Sequence, residues 1–334
     1  MSLEFAPELT LTAPRRAVVR TAGVAGWGAA LPAAVVSNDA IAAGSGVTPQ
    51  WIVKRTGISE RRHLAAGERM DGLCAAAGRE ALDAAGVAAH ELDAVLVATS
   101  SADELFPQCA PLVAGLLGAD HAMCWDVSIA CTGFVAGLAQ AAALIESGRA
   151  ERVLLVGADA LSRNVDAADR GPSALFGDGA GAAVLTRSGA GRVGATVMGS
   201  DGASAHFLTA RRSDGIIRMD GLEVFQHAIA RMAEASREVL AREELRLEDV
   251  ALVVPHQANG RITQALAERM GLRAEQVVDD IADRGNTSAG TIPLALHRAA
   301  AEGRIPARGH VLITAFGAGF AWGATVLHFG PGAA

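Results

Sequence analysis

The chain is written twice. "REAL" at 79–82 is answered 158 residues later by "REVL" at 237–240, and "DAVLVATS" at 93–100 is answered 156 later by "DVALVVPH" at 249–256. "ESGRAERVLLV" at 146–156 returns as "AEGRIPARGHVLI" at 301–313, which sets Gly148 on Gly303 at an offset of 155. "GAAVL" at 181–185 returns as "GATVL" at 323–327, an offset of 142. Alanine-rich helices resemble one another by composition, so no single match decides. Four matches in one order with slowly drifting offsets indicate an internal duplication. Such a chain folds as two similar halves facing each other across a pseudo-twofold axis.

The repeated unit has α/β character. "AVLVATS" (94–100), "RVLLVGADA" (152–160), "AAVLT" (182–186), "VALVVPH" (250–256), "HVLITAFG" (310–317) and "ATVLHFG" (324–330) are apolar runs of strand length. Between them lie periodic alanine-rich stretches. One is "EVFQHAIARMAEASREVL", which puts Val224, Phe225, Ala228, Ile229, Met232, Val239 and Leu240 on one helical face. Strands alternating with helices imply parallel or mixed sheets covered on both sides. The halves are expected over 17–187 and 188–334, behind a loose extension over 1–16.

Composition excludes several function classes. The 334 residues are 51% hydrophobic and 19% charged, enough for a large core, and the net charge is −7 with no basic stripe, so nucleic acid is not an expected partner. No apolar run reaches the roughly 18 residues of a membrane span, and "MSLEFAPELTLTAPRR" lacks the apolar segment of a secretory signal. Cys74, Cys109, Cys124 and Cys131 form no CxxC pair. A reduced, cytoplasmic protein without a metal or other cofactor is the expectation.

In "DVSIACTGF" (126–134) an apolar run ends at Cys131, and Thr132-Gly133 opens what reads as a helix. A thiol at a helix N-terminus meets the positive end of the backbone dipole, which favours the thiolate and makes a nucleophile and acyl carrier. Alone, Cys131 could equally be a buried structural cysteine. The duplication adds to it. At offset 155 Cys131 falls on Asn286, in "RGNTSAGTIPLAL", another small-residue helix start. At offset 156 Ser100 falls on His256, at the end of a second-half strand, where α/β proteins keep their sites. Thiol, imidazole and amide are thus expected around one hollow. Asn286 also fits a helix cap; the two roles are compatible.

"ACTGF", "PHQANGRI", "GNTSAGTIP", "FGDGAGAAVL" and "AFGAGFAWG" resemble the motif set of β-ketoacyl-acyl-carrier-protein synthase III in the thiolase superfamily, from about Arg20 to Phe329. The resemblance implies a five-layered αβαβα thiolase fold and a homodimer. It implies that Cys131 takes an acyl group from an acyl-CoA, and that malonyl-acyl carrier protein (malonyl-ACP) then loses carbon dioxide. His256 and Asn286 would donate to its thioester carbonyl, and the backbone N–H groups of Cys131 and Ala318 would hold the oxyanion. The family usually has glycine at the position of Ala318. For CoA and pantetheine the implied residues are Trp51, Arg55, Thr56, Arg170, Phe225, Asn259 and Arg261, an aromatic and arginines suiting adenine and phosphates. Phe106, Phe176 and Phe316 would shape the acyl end, with Phe106 reaching across the dimer.

The glycines of "FGDGAGAAVL" lack GxGxxG spacing and precede a strand, so tight packing rather than phosphate binding is expected. The acyl carrier protein, an acidic partner in this family, docks on a basic patch. Here two usual lysine positions are Gln226 and Glu268, while Arg261 and Arg269 remain. Weaker docking, a dedicated carrier or a different acceptor would follow. The competing readings are an acyltransferase of the same fold that passes the Cys131 acyl group to an alcohol or amine, a specialised starter-unit condensing enzyme of natural-product assembly, and a silent partner subunit.

Overall fold

The computed structural model describes residues 20–330; the extension expected over 1–16 lies outside them. The first half runs β1 (Gly23–Ala30), β2 (Ala34–Ser37), α1 (Asn38–Ser45), α2 (Pro49–Thr56), β3 (Glu60–His63), α3 (Met70–Ala85), β4 (Ala94–Ala98), α4 (Cys109–Leu117), β5 (Met123–Val127), α5 (Gly133–Glu146), β6 (Arg152–Ala160), α6 (Arg170–Leu175) and β7 (Asp178–Thr186). The second runs β8 (Gly191–Ser200), β9 (Leu208–Ala210), β10 (Ile217–Met219), α7 (Gly221–Arg242), β11 (Val250–Pro255), α8 (Gly260–Met270), α9 (Thr291–Ala301), β12 (Gly309–Gly317) and β13 (Ala321–Phe329).

The large sheet has the order β11-β12-β13-β8-β1-β7-β6-β4-β5. Its two halves meet where Gly23 pairs with Arg192 and Val24 with Gly191. Outward from that seam the halves match: β1-β7-β6-β4-β5 on one side, β8-β13-β12-β11 on the other. Where a fifth strand would follow β11, Val277 forms a parallel bridge to Val253. In each half the inner pairs are antiparallel and the outer ones parallel.

Helices α5 and α9 lie between the two half-sheets, in one core that joins Phe134, Leu138 and Ile145 to Ile292, Leu296, Leu155 and Ile313. Helices α3 and α4 cover the outside of the first half-sheet. Helices α7 and α8 cover the second. The result is the expected αβαβα sandwich. Its central strands are apolar on both faces, as fully covered strands must be. The glycines of "FGDGAGAAVL" serve packing: a Cβ on Gly181 would come 2.7 Å from the Leu294 backbone nitrogen of α9. No helix among the described residues is long and apolar enough to cross a membrane.

The duplication needs one correction. Strands β4 and β11 start 156 residues apart, and Gly148 and Gly303 are both left-handed, with φ of 73° and 68°. Between these markers, however, α5 has 14 residues and α9 has 11. Counted from the helix starts, Gly133 answers Thr291. Ala130 then answers Ser288, and both carry positive φ, 46° and 52°. Cys131 therefore answers Ala289, not Asn286. The offset of 155 holds at the helix ends and fails at their beginnings, because α9 is about one turn shorter.

Candidate active site

Cys131 sits in the tight turn Ala130–Thr132 that leads into α5. The turn is pressed from the opposite half. A Cβ on Gly317, at the end of β12, would lie 2.8 Å from Cys131 Cβ and 3.0 Å from its nitrogen. Ser288 supplies the thiol's side-chain partner, with Sγ and Oγ 3.3 Å apart. The sulfur is almost wholly buried, and burial pushes the thiol up to about 12, against the opposite pull of the Ser288 hydroxyl. Nearby Asp159, a buried carboxylate, pushes the same way. Burial therefore works against the thiolate that the helix start would favour.

His256 follows β11, with its backbone N–H donating to Thr314 O at 2.8 Å. Its ring is buried, and Nδ1 lies 2.6 Å from Thr291 Oγ1 at the start of α9. Burial lowers its pKa to about 3, so the imidazole is neutral at ordinary pH. Asn286 is fixed through its backbone to the Leu175–Gly177 segment, donating to Leu175 O and accepting from Gly177 N–H. Its Oδ1 accepts from the Ser288 N–H at 2.8 Å, which turns Nδ2 away from that turn. The amide thus holds the local turn and still offers a donor. Gln257, buried beside His256, ties Pro255 to Val278 and Asp280.

One cavity of about 370 Å³ is lined by Cys131, His256 and Asn286, and also by Trp51, Arg55, Thr56, Arg170, Phe225, Asn259 and Arg261. Two guanidinium groups lie near the Trp51 ring, Arg55 at 5.9 Å and Arg170 at 5.7 Å from its centroid. Trp51 is held there because Thr48 caps α2 by accepting from the Trp51 N–H. Arg261 lies over Phe225 at 5.5 Å. Asn259 caps α8 through Oδ1, accepting from the Arg261 N–H at 2.9 Å. The Thr56 hydroxyl is committed to its own segment, donating to Ile52 O and accepting from the Ile58 N–H. On the outer surface Gln226 and Glu268 are exposed, and Glu268 accepts from Gln264.

A second cavity, of about 230 Å³, shares Cys131, Phe176 and Leu208 with the first and adds Ser100, Ala130, Leu161, Ile217, Ser288 and Ala318. Phe176 thus lies between the two. Phe316 belongs to the first alone. Phe106 lines neither in its own chain and is 84% exposed. The residues that sequence reasoning missed are Ser288, Asp159 and Thr291. Two of them stand inside "GNTSAGTIP", but a hydroxyl among small residues carries no signal until the turn brings it to the thiol or the imidazole.

Two duplicated halves, each giving one central helix start to a shared hollow with the thiol on one side and imidazole and amide on the other, are the plan of a thiolase-fold condensing enzyme. Comparison with known proteins narrows the class. The family models described as 3-oxoacyl-[acyl-carrier-protein] synthase III and its C-terminal part match residues 125–219 and 240–329. The chain is 46% identical over 327 residues to β-ketoacyl-[acyl-carrier-protein] synthase III of Rhodobacter capsulatus, covering 94% of this chain and 99% of that one. The crystal structure of the synthase III from Pseudomonas aeruginosa PAO1 superposes with a TM-score of 0.89 at 42% identity, over 93% of this chain and 99% of that one. The priming β-ketosynthase of the R1128 polyketide pathway gives 0.89 at 36%, over 96% and 99%. The chain belongs to the β-ketoacyl-[acyl-carrier-protein] synthase III family and is a condensing acyltransferase.

Proposed function

We propose that the chain primes acyl-chain assembly in two half-reactions. An acyl-CoA enters past Trp51, Arg55 and Arg170, with its pantetheine arm along Phe225, Asn259 and Arg261. Cys131 Sγ attacks the thioester carbonyl while the main-chain N–H groups of Cys131 and Ala318 hold the oxyanion. The C–S bond to CoA breaks, the thiol proton leaves with CoA, and the acyl group occupies the second cavity beside Phe176. Malonyl-ACP then uses the same entrance. Its carboxyl C–C bond breaks, carbon dioxide leaves, and the electron pair moves into an enolate whose oxygen accepts from His256 and Asn286. The enolate carbon attacks acyl-Cys131, expulsion of the thiolate gives 3-oxoacyl-ACP, and the thiolate takes up a proton from water to restore the thiol. The enzyme works in the cytoplasm as a homodimer, with Phe106 directed at its partner.

The observation that supports this reading is the single cavity with an aromatic–arginine entrance at the surface and Cys131, His256 and Asn286 buried within it. His256→Ala and Asn286→Ala are expected to be acylated normally by acetyl-CoA. They should release carbon dioxide from malonyl-ACP about 10²–10³-fold more slowly, the usual cost of losing one oxyanion donor. Undiminished release by both would defeat the assignment. A specialised starter-unit role is favoured by Gln226 and Glu268 on the outer surface, where the family usually has lysine, and by the likeness to a priming polyketide ketosynthase.

A further inference from the structure

A neutral imidazole has one N–H, and the site must decide where it lies. The ring of His256 has a single protein partner among the described residues, the Thr291 hydroxyl, which meets Nδ1 at 2.6 Å. That hydroxyl also lies 3.0 Å from Ser288 O. Two arrangements are open to it. It can donate to Ser288 O and accept from Nδ1–H, leaving a bare lone pair on Nε2 facing the cavity. Or it can donate to Nδ1, which puts the proton on Nε2.

Ser288 O already accepts the Thr291 backbone N–H at the end of its turn. It therefore has no need of the hydroxyl proton. The shorter contact is also the one to the ring. We propose that Thr291 is a positioning residue that donates to His256 Nδ1 and so fixes the tautomer carrying its proton on Nε2, toward the reacting thioester. The hydroxyl stands at the first position of α9, where the helix start holds it, so the imidazole is pre-set before any substrate arrives. This rests on the condensing role of His256 given above. It explains how a histidine without a carboxylate partner serves as a donor and not as a base.

The test joins two readouts. Protein labelled with ¹⁵N-histidine, with His256→Asn to assign the signal, reports the tautomer in the absence of any substrate. The wild type should show a protonated Nε2 and a bare Nδ1. Thr291→Val, which keeps the shape and removes the hydroxyl, should give a mixture of the two forms. It should slow carbon dioxide release from malonyl-ACP about 10–100-fold, the scale on which hydrogen bonds behind a functional histidine act, while acylation of Cys131 stays at the wild-type rate. Thr291→Ser should restore both signals. A wild-type spectrum with the proton on Nδ1 would overturn the proposal, as would Thr291→Val releasing carbon dioxide at the wild-type rate. Because the spectrum needs no substrate, it decides the tautomer even if malonyl-ACP proves not to be the second substrate.

Discussion

Gly317→Ala puts one methyl group against the nucleophile from the opposite half of the molecule. The backbone tolerates the change, since Gly317 has φ −163° and ψ −169°, an extended conformation open to any residue. The obstacle is Cys131: the added carbon would lie 2.8 Å from its Cβ and 3.0 Å from its nitrogen. Relaxed carbon contacts lie at about 3.5–4.0 Å, so strand or turn must yield by roughly 0.7 Å or more. The turn is the weaker of the two, because Ala130 already holds a left-handed φ of 46° while β12 is bonded along its length to β13. Crowding of this kind costs about 1–3 kcal/mol, and moving a reacting atom by about 1 Å costs on the order of 10²-fold in rate. Single-turnover acylation by acetyl-CoA, followed by intact-protein mass spectrometry, should fall about 30–100-fold. Gly72→Ala, where an added Cβ meets nothing within 4 Å, is the control and should acylate normally. If Gly317→Ala acylates at the wild-type rate, the close seating of the two halves on Cys131 has no catalytic consequence.

Three further outcomes follow from the site. With the thiol up at about 12, iodoacetamide modification of Cys131 in the free protein should rise about tenfold per pH unit from 7 to 9, because the thiolate fraction does so well below the pKa; peptide mapping that shows a plateau by pH 7 would contradict the buried-thiol account. Trp51→Ala removes the aromatic face proposed to stack on the adenine, a contact of about 1–3 kcal/mol, so the KM for acyl-CoA should rise at least several-fold with kcat nearly constant, and an unchanged KM would remove Trp51 from the entrance. Glu268→Lys should raise the on-rate for an acidic carrier at low salt and steepen its salt dependence; identical, salt-insensitive binding in both proteins would remove the docking argument.

The sequence spoke most clearly where identity and order suffice. Cys131 and His256 were legible because one stands just before a helix and the other just after a strand, and Asn286 through the motif that holds it. The two arginines near Trp51 were legible as residue types, and the fold then brought them to its ring. What sequence could not carry was depth and phase. The helix start at Gly133 was visible, but the burial that raises the Cys131 thiol depends on Gly317 arriving from the other half. The phase error at Asn286 came from a turn missing inside α9, which similarity at the helix ends does not register. Phe106 was expected at the acyl end, yet in its own chain it is exposed and lines neither cavity.

The measurement closest to the centre of this account is a chase. The protein is loaded with [¹⁴C]acetyl-CoA, freed of CoA, and mixed with malonyl-ACP, while the label on Cys131 is followed by peptide mass spectrometry and the carrier by its intact mass. The account predicts label on Cys131 alone, leaving in step with carbon dioxide release and appearing in 3-oxoacyl-ACP. Label on any other residue, or an acetyl-Cys131 that malonyl-ACP does not discharge, would contradict it.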